Sequence, residues 1–151
     1  MNIRPAQPEE AELLSALGYR AKAHWGYDEA FMKACWKLMG LTNNYVRAHP
    51  VYVLEEKGKA TGFYVLSERA PHEIELMHMF VEPALICTGC GRSLWEHAIK
   101  KSQQLGYRQM YIESDPNAEG FYLRMGAERI GDAPSAIVPG RMLPLLRFKL
   151  G

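Results

Sequence analysis

The sequence has no excess of charge of either sign: 18 lysines and arginines stand against 17 aspartates and glutamates, for a formal net charge of +1 over 151 residues. With no basic stripe or block, neither a nucleic-acid surface nor an electrostatic membrane anchor is expected. No apolar run approaches the roughly 20 residues that cross a bilayer as a helix. The opening residues Met1 to Glu10 lack the apolar core and basic flank of a secretory leader. A cytoplasmic protein is therefore the expectation, without membrane or nucleic acid among its partners. Cysteine is scarce, and the three present, Cys35, Cys87 and Cys90, are an odd number that argues against a disulfide framework. There is no internal repeat, low-complexity tract or linker. What is present, 48% hydrophobic residues in a chain of this length, suits a single domain over residues 1–151.

Taken in order, residues 1 to 5 read as a strand ended by Pro5 and Pro8. A helix follows, with Pro8 in its first turn, Glu9 and Glu10 complementing the dipole, and Leu14, Leu17, Ala21 and Trp25 at helical spacing up to Gly26. Asp28 is placed to cap a second helix carrying Phe31, Cys35 and Leu38 on one face and ending at Gly40. The stretch from Leu41 to Pro50 shows no secondary-structure signal. Val51 to Leu54 and Thr61 to Leu66 predict a hairpin turning at Lys57-Gly58. Ile74 to Val81 is apolar on both parities except for Glu75 and His78, as a central strand covered on both faces should be. A helix with Leu94, Trp95, Ala98, Ile99 and Leu105 on one side leads to a short strand, Met110 to Glu113, parallel to the previous one if the helix is a crossover. Asp115-Pro116 then reads as cap and first residue of a short helix through Phe121, Tyr122 and Met125, and two strands close the chain around a proline-rich loop.

Between the central strand and its helix lies Ile86-Cys87-Thr88-Gly89-Cys90-Gly91. A glycine loop opening a helix gathers unpaired N–H groups at the positive end of the helix dipole and binds phosphate-like anions. Further along comes Asp115-Pro116-Asn117-Ala118-Glu119-Gly120-Phe121-Tyr122-Leu123-Arg124-Met125-Gly126-Ala127. Together the two segments resemble the pyrophosphate loop, [Gln/Arg]-x-x-Gly-x-[Gly/Ala], and the later Asn-x-x-Ala-x-x-x-Tyr-x-x-x-Gly-Phe segment of the GNAT superfamily of acetyl-CoA-dependent N-acetyltransferases. Gly89, Gly91, Ala118, Tyr122 and Gly126 match in register. Ile86, Asp115 and Ala127 depart from it. The resemblance covers nearly the whole chain and implies an α/β (α+β) acyl-CoA N-acyltransferase fold, a mixed central sheet of six or seven strands flanked by four helices.

It also implies an enzyme that moves acetyl from acetyl-CoA directly to an amine of a small molecule or peptide, with no metal. The pantetheine arm would lie along Met79, Phe80 and Val81. The pyrophosphate would lie over Cys87, Thr88, Gly89, Cys90, Gly91 and Arg92, with Asp115, Asn117, Ala118 and Phe121 completing the coenzyme site. Tyr122 would serve the departing thiolate, and homodimers are common among such proteins. An alkylammonium of pKa about 10.4 is neutral to only about one part in 10^3.4 at pH 7, a cost of roughly 4.6 kcal/mol, so a proton acceptor is useful. Glu75 stands where some members carry a catalytic glutamate. His78 is the rival on the opposite parity of the strand, closer to neutrality in its ordinary pKa. On the acceptor side, His24, Trp25, Tyr27 and Asp28 join aromatic rings to a carboxylate, a combination that attracts a cationic amine. Two other readings stay open: a CoA- or acyl-CoA-binding module without catalysis, and a thiol redox or metal-binding protein built on the Cys87-x-x-Cys90 pair.

Overall fold

The computed structural model describes residues 2–151. Seven strands, β1 (Asn2–Pro5), β2 (Val51–Glu56), β3 (Lys59–Ala70), β4 (Glu73–Val81), β5 (Gln109–Glu113), β6 (Glu128–Pro134) and β7 (Met142–Lys149), form one sheet in the order β1-β2-β3-β4-β5-β7-β6. Every neighbouring pair is antiparallel except β4 and β5. That parallel pair is joined by a crossover through a helix, as parallel neighbours require. The hairpin turns at Lys57 and Gly58, both with positive φ (52° and 78°).

Five α-helices flank the sheet: α1 (Ala11–Ala23), α2 (Glu29–Met39), α3 (Asn43–Ala48), α4 (Cys90–Gln104) and α5 (Glu119–Arg124). The sequence predicts four. The fifth, α3, lies in the stretch from Leu41 to Pro50 where periodicity shows nothing, because a single turn and a half offers too few apolar positions to read. It is held by its cap, Thr42 Oγ1 accepting from the Tyr45 N–H at 3.0 Å, and by burial of Val46. The helix placed from Pro8 opens instead as a 3₁₀ turn, Pro8–Glu10, before α1 begins. Trp25 falls beyond the end of α1 and is 43% exposed, so it does not continue the apolar stripe. Leu38 and Leu105 are likewise exposed, and α2 buries Met32 and Cys35. No helix among the described residues is long and apolar enough to cross a membrane.

Two cores sit on opposite faces of the sheet. One gathers Leu54, Tyr64, Leu66, Ile74, Leu76, Met110 and Ile112 under Leu94, Trp95 and Ala98 of α4, with Tyr122 of α5. The other gathers Val51, Val53, Phe63 and Val65 under Leu14 and Leu17 of α1 and Val46 of α3. The alternation of β3, with Phe63 and Val65 to one face and Tyr64 and Leu66 to the other, feeds both. Close approach on the α4 side depends on Gly62, where a Cβ would stand 2.9 Å from both Leu94 Cδ1 and the Phe80 carbonyl oxygen. The carbonyl belongs to a paired strand and cannot swing away. Gly62→Ala is therefore expected to cost about 1–3 kcal/mol of stability, read as a lower denaturant midpoint at unchanged m-value. An unchanged midpoint would mean that β3 and β4 separate at no cost.

Candidate active site

The β4–β5 ladder is short. Glu73, Ile74 and Glu75 pair with Gln109, Met110 and Tyr111, and there the pairing ends. β4 runs on through Val81, hydrogen-bonded to β3 alone. Its other edge, from Leu76 to Val81, therefore presents backbone donors and acceptors to a gap between two splayed strands, and Met79, Phe80 and Val81 lie along it. Such groups require partners when covered.

A β-bulge sits in the same strand. Val65 pairs with His78 and Leu66 with Leu76, which leaves Met77 as the extra residue, 39% exposed. Because side-chain direction alternates with period two, one inserted residue exchanges the faces beyond it. Ile74 and Leu76 before the bulge and Met79 and Val81 after it all pack into the α4 core, while Phe80 packs into the α1 core. Glu75 and His78 consequently share the α1 face. They keep opposite parities in the sequence, and the bulge turns both to one face.

After β4, a 3₁₀ turn (Pro83–Leu85) leads into the glycine loop. Cys87 (φ 67°) and Gly89 (φ 92°) both take left-handed backbone, and Gly89 is the N-cap of α4. Only glycine adopts that φ without strain. A Cβ on Gly91 would stand 3.3 Å from the Phe121 ring, so the second glycine lets α5 approach the first turn of α4. The N–H groups of that turn have no intrahelical acceptor. The two cysteines part company here. Cys87 is exposed, whereas Cys90 is buried, its sulfur 3.3 Å from the Thr88 hydroxyl.

Glu75, with a side chain 18% exposed, faces Arg69 at 3.5 Å, and the same guanidinium reaches Glu113 at 3.7 Å and stacks over Tyr111 at 4.7 Å. Burial, and then the Glu113 charge, raise its carboxyl above the ordinary carboxylate range against the opposing pull of Arg69. His78 stacks on Phe80 at 5.8 Å. Burial, helped by the Lys22 charge, pushes its imidazole down to about 4. His78 is thus neutral at physiological pH and a much weaker base than its ordinary pKa suggests.

Tyr122 is 6% exposed and packs on Trp95 (ring centroids 5.7 Å apart). Burial, with the Asp115 charge adding to it, holds its phenol protonated well beyond the ordinary range. Asp115 does not cap a helix beginning at Pro116, as its place in the sequence predicts. The N-cap of α5 is Ala118. Asp115 Oδ1 instead accepts from the Asn117 N–H at 2.8 Å and the Asn117 amide at 2.9 Å, an Asx-type turn that delays the helix. Its Oδ2 forms an ion pair with Lys22 of α1 and accepts from the Tyr27 hydroxyl at 2.8 Å. Burial alone would raise this carboxyl, and the Lys22 ammonium, joined by hydrogen bonds from the Asn117 N–H and the Tyr27 hydroxyl, more than offsets that, leaving it below the ordinary value.

Of the four acceptor-side residues predicted between α1 and α2, the structure brings only Tyr27 into this cluster. Asp28 caps α2 through the Phe31 N–H at 2.8 Å, and His24 and Trp25 stand exposed against each other at 5.1 Å. Three participants have no motif in the sequence: Lys22, Phe31 and Arg141. Tyr27 and Phe31 stack at 4.2 Å, and both cations lie over the two rings at 5.1–5.8 Å. The one available signal was the proline-rich loop around Ser135 to Arg141, which reads in the sequence as a cover for the acceptor side and which brings Arg141 onto Tyr27.

The chain matches the family model "Acetyltransferase (GNAT) domain" over residues 15–135. It belongs to that family and is an acetyltransferase of the GNAT type. No curated protein matches it by sequence. Among solved structures it is similar to a GCN5-related N-acetyltransferase of Rhodopseudomonas palustris, with 19% identity, 98% of this chain and 94% of that one covered, and a TM-score of 0.79. It is also similar to the PaiA N-acetyltransferase of Thermoplasma acidophilum in complex with coenzyme A (17%, 98% and 98%, 0.79). A third is yncA of Salmonella typhimurium with its cofactor acetyl-CoA (22%, 100% and 94%, 0.70). Likeness at these identities establishes the shared fold.

Proposed function

We propose that this acetyltransferase transfers acetyl from acetyl-CoA directly to the primary amine of a small molecule or peptide, with Glu75 taking up the amine proton through water and Tyr122 hydrogen-bonding the departing thiolate. The observation that carries the reading is the early end of the β4–β5 ladder at Glu75 and Tyr111, which opens a gap between the glycine loop on the α4 face and the aromatic, charged cluster on the α1 face. Acetyl-CoA supplies an activated thioester. The residues present fit it: a left-handed glycine N-cap with open space where a Cβ would be, free first-turn N–H groups, and an unpaired strand edge.

In this reading the N–H groups of Cys87 and of Gly89 to Arg92 hold the pyrophosphate, the Thr88 N–H being taken by the Leu85 carbonyl at 3.3 Å, and the edge of Met79 to Val81 holds the pantetheine arm. An N–H near Met79 polarises the acetyl carbonyl. Ala118 and Phe121 wall the arm. Asp115 and Asn117 set the start of α5, since both Asp115 oxygens already have protein partners. The acetyl C–N bond forms as the C–S bond breaks. The amine proton leaves by water for Glu75, and the thiolate takes a proton from solvent under the Tyr122 hydrogen bond. The bulge shortens the step from Glu75 to Met79 to the three residues from Ser67 to Tyr64 on β3, roughly 10 Å, so Glu75 reaches an amine held near Met79 through water.

Free-thiol release from acetyl-CoA across a panel of amines tests the reading. Tight binding of acetyl-CoA with no turnover on any amine would favour a binding module instead. Tyr122→Phe is expected to lower kcat about 10- to 100-fold, the worth of a charge-assisted hydrogen bond, with little change in KM for acetyl-CoA. Unaltered kcat would remove Tyr122 from the mechanism.

A further inference from the structure

Resting on the acetyltransferase reading above, we infer that the acceptor carries a carboxylate as well as an amine, and that Arg141, supported by Lys22, is its anchor. The cluster on the α1 face holds two cations, Lys22 and Arg141, and one carboxylate, Asp115. Lys22 is committed to Asp115, and both side chains are largely buried (12% and 13% exposed). Arg141 has no carboxylate within salt-bridge distance among the described residues. Its single side-chain hydrogen bond is to the Tyr27 hydroxyl at 3.2 Å. The remaining guanidinium donors are left for a ligand, and a guanidinium matches a carboxylate with two parallel hydrogen bonds.

The guanidinium is also held still before any ligand arrives. It lies 5.4 Å from the Tyr27 ring centre and 5.1 Å from that of Phe31. The loop that carries it is closed on itself: Ser135 N–H donates to the Arg141 carbonyl at 2.8 Å, Arg141 N–H to the Val138 carbonyl at 3.1 Å, and the Ser135 hydroxyl accepts from the N–H groups of Ile137 and Val138 at 3.1 and 3.2 Å. Gly140, with φ 82°, supplies the left-handed residue that turns the chain into Arg141. An anchor fixed in this way loses little conformational freedom on binding.

Position assigns the anion to the acceptor and not to the coenzyme. Arg141 packs on the α1–α2 connection, the face shared with Glu75 and His78, while the glycine loop opens the helix on the other face. Asp115 ties the cluster to the start of α5 and so to the neighbourhood of Tyr122, where the thiolate departs in this reading. The predicted attraction of a bare cationic amine to this segment is thereby replaced by attraction of the anionic end of a zwitterion. Its amine points toward the Glu75 side, where Glu113 adds a second carboxylate.

The test compares 4-aminobutyrate and 6-aminohexanoate with butylamine and hexylamine as acceptors, and N-acetyl-4-aminobutyrate with N-butylacetamide as unreactive ligands of the protein–CoA complex. The amino acids should be preferred in kcat/KM by about tenfold or more, and calorimetry should show the acetylated amino acid binding the more tightly. Arg141→Gln should abolish that preference in both assays, and Arg141→Lys should restore part of it. Equal loss for both ligand classes in Arg141→Gln, or a preference that survives it, overturns the anchor. So does Arg141-dependent use of succinyl-CoA in place of acetyl-CoA, which would move the carboxylate to the acyl donor. If no amine turns over yet the carboxylate ligand still binds through Arg141, the anchor stands and direct amine transfer fails.

Discussion

Glu75→Gln should lower kcat by about 100-fold, at the lower end of what a positioned general base contributes because its contact with the amine runs through water. The same change should flatten the acidic limb of the rate profile. With Glu75 as the proton acceptor, the ionised carboxylate would be the active form, so activity is expected to rise with pH as Glu75 loses its proton. Burial and the Glu113 charge place that loss above the ordinary carboxylate range. The neighbours give the assignment its sharpest check. Arg69 opposes the upward shift, so Arg69→Gln should move the limb to higher pH, and Glu113→Gln should move it to lower pH. A wild-type limb that persists in Glu75→Gln, or that ignores both neighbours, would assign the proton to bulk solvent. Burial pushes the His78 imidazole down to about 4, so it is a weaker base than its ordinary pKa suggests.

The parts of this site that were legible in the sequence are those whose chemistry depends on local backbone. Gly89 and Gly91 could be read because a left-handed N-cap and a close helix approach each admit essentially one residue type. The hairpin, the Asp28 cap and the parallel β4–β5 pair follow from turn, cap and crossover rules that act within a few residues or one connection. What the sequence hid were non-local or one-residue effects. The bulge at Met77 leaves no compositional mark, yet it decides that Glu75 and His78 share a face. The helix α3 is too short to show a period. Lys22, Phe31 and Arg141 come from three separate segments and meet only because α1, α2 and the β6–β7 loop converge on Asp115 and Tyr27. Asp115 looked like a cap because Asp-Pro before a helix ordinarily is one, and its alternative partner lies 93 residues earlier in the chain.

That long-range pair carries the larger of the two stability effects predicted. Asp115→Ala would leave the Lys22 ammonium largely buried without its counter-ion, and stranding one member of such a pair costs about 3–5 kcal/mol. For a chain of this size each kcal/mol lowers the melting temperature by about 2–4 °C, so a fall on the order of 10 °C is expected. Lys22→Met should cost a similar amount by stranding Asp115. The double variant Lys22→Met with Asp115→Asn removes both charges, keeps an acceptor for the Asn117 N–H, and should recover most of the loss. That non-additivity is the signature of a coupled pair. The sign of the pH dependence follows from the carboxyl. Its folded-state pKa lies below the ordinary 3.8, so its contribution is fully present above that value and is lost as pH falls through the folded pKa. Wild type should therefore lose stability on acidification below pH 3.8 more steeply than the double variant. Parallel acid unfolding of the two proteins, or strictly additive single changes, would show that Lys22 and Asp115 are neighbours without coupling, and would leave the convergence of α1 on the start of α5 to apolar packing alone.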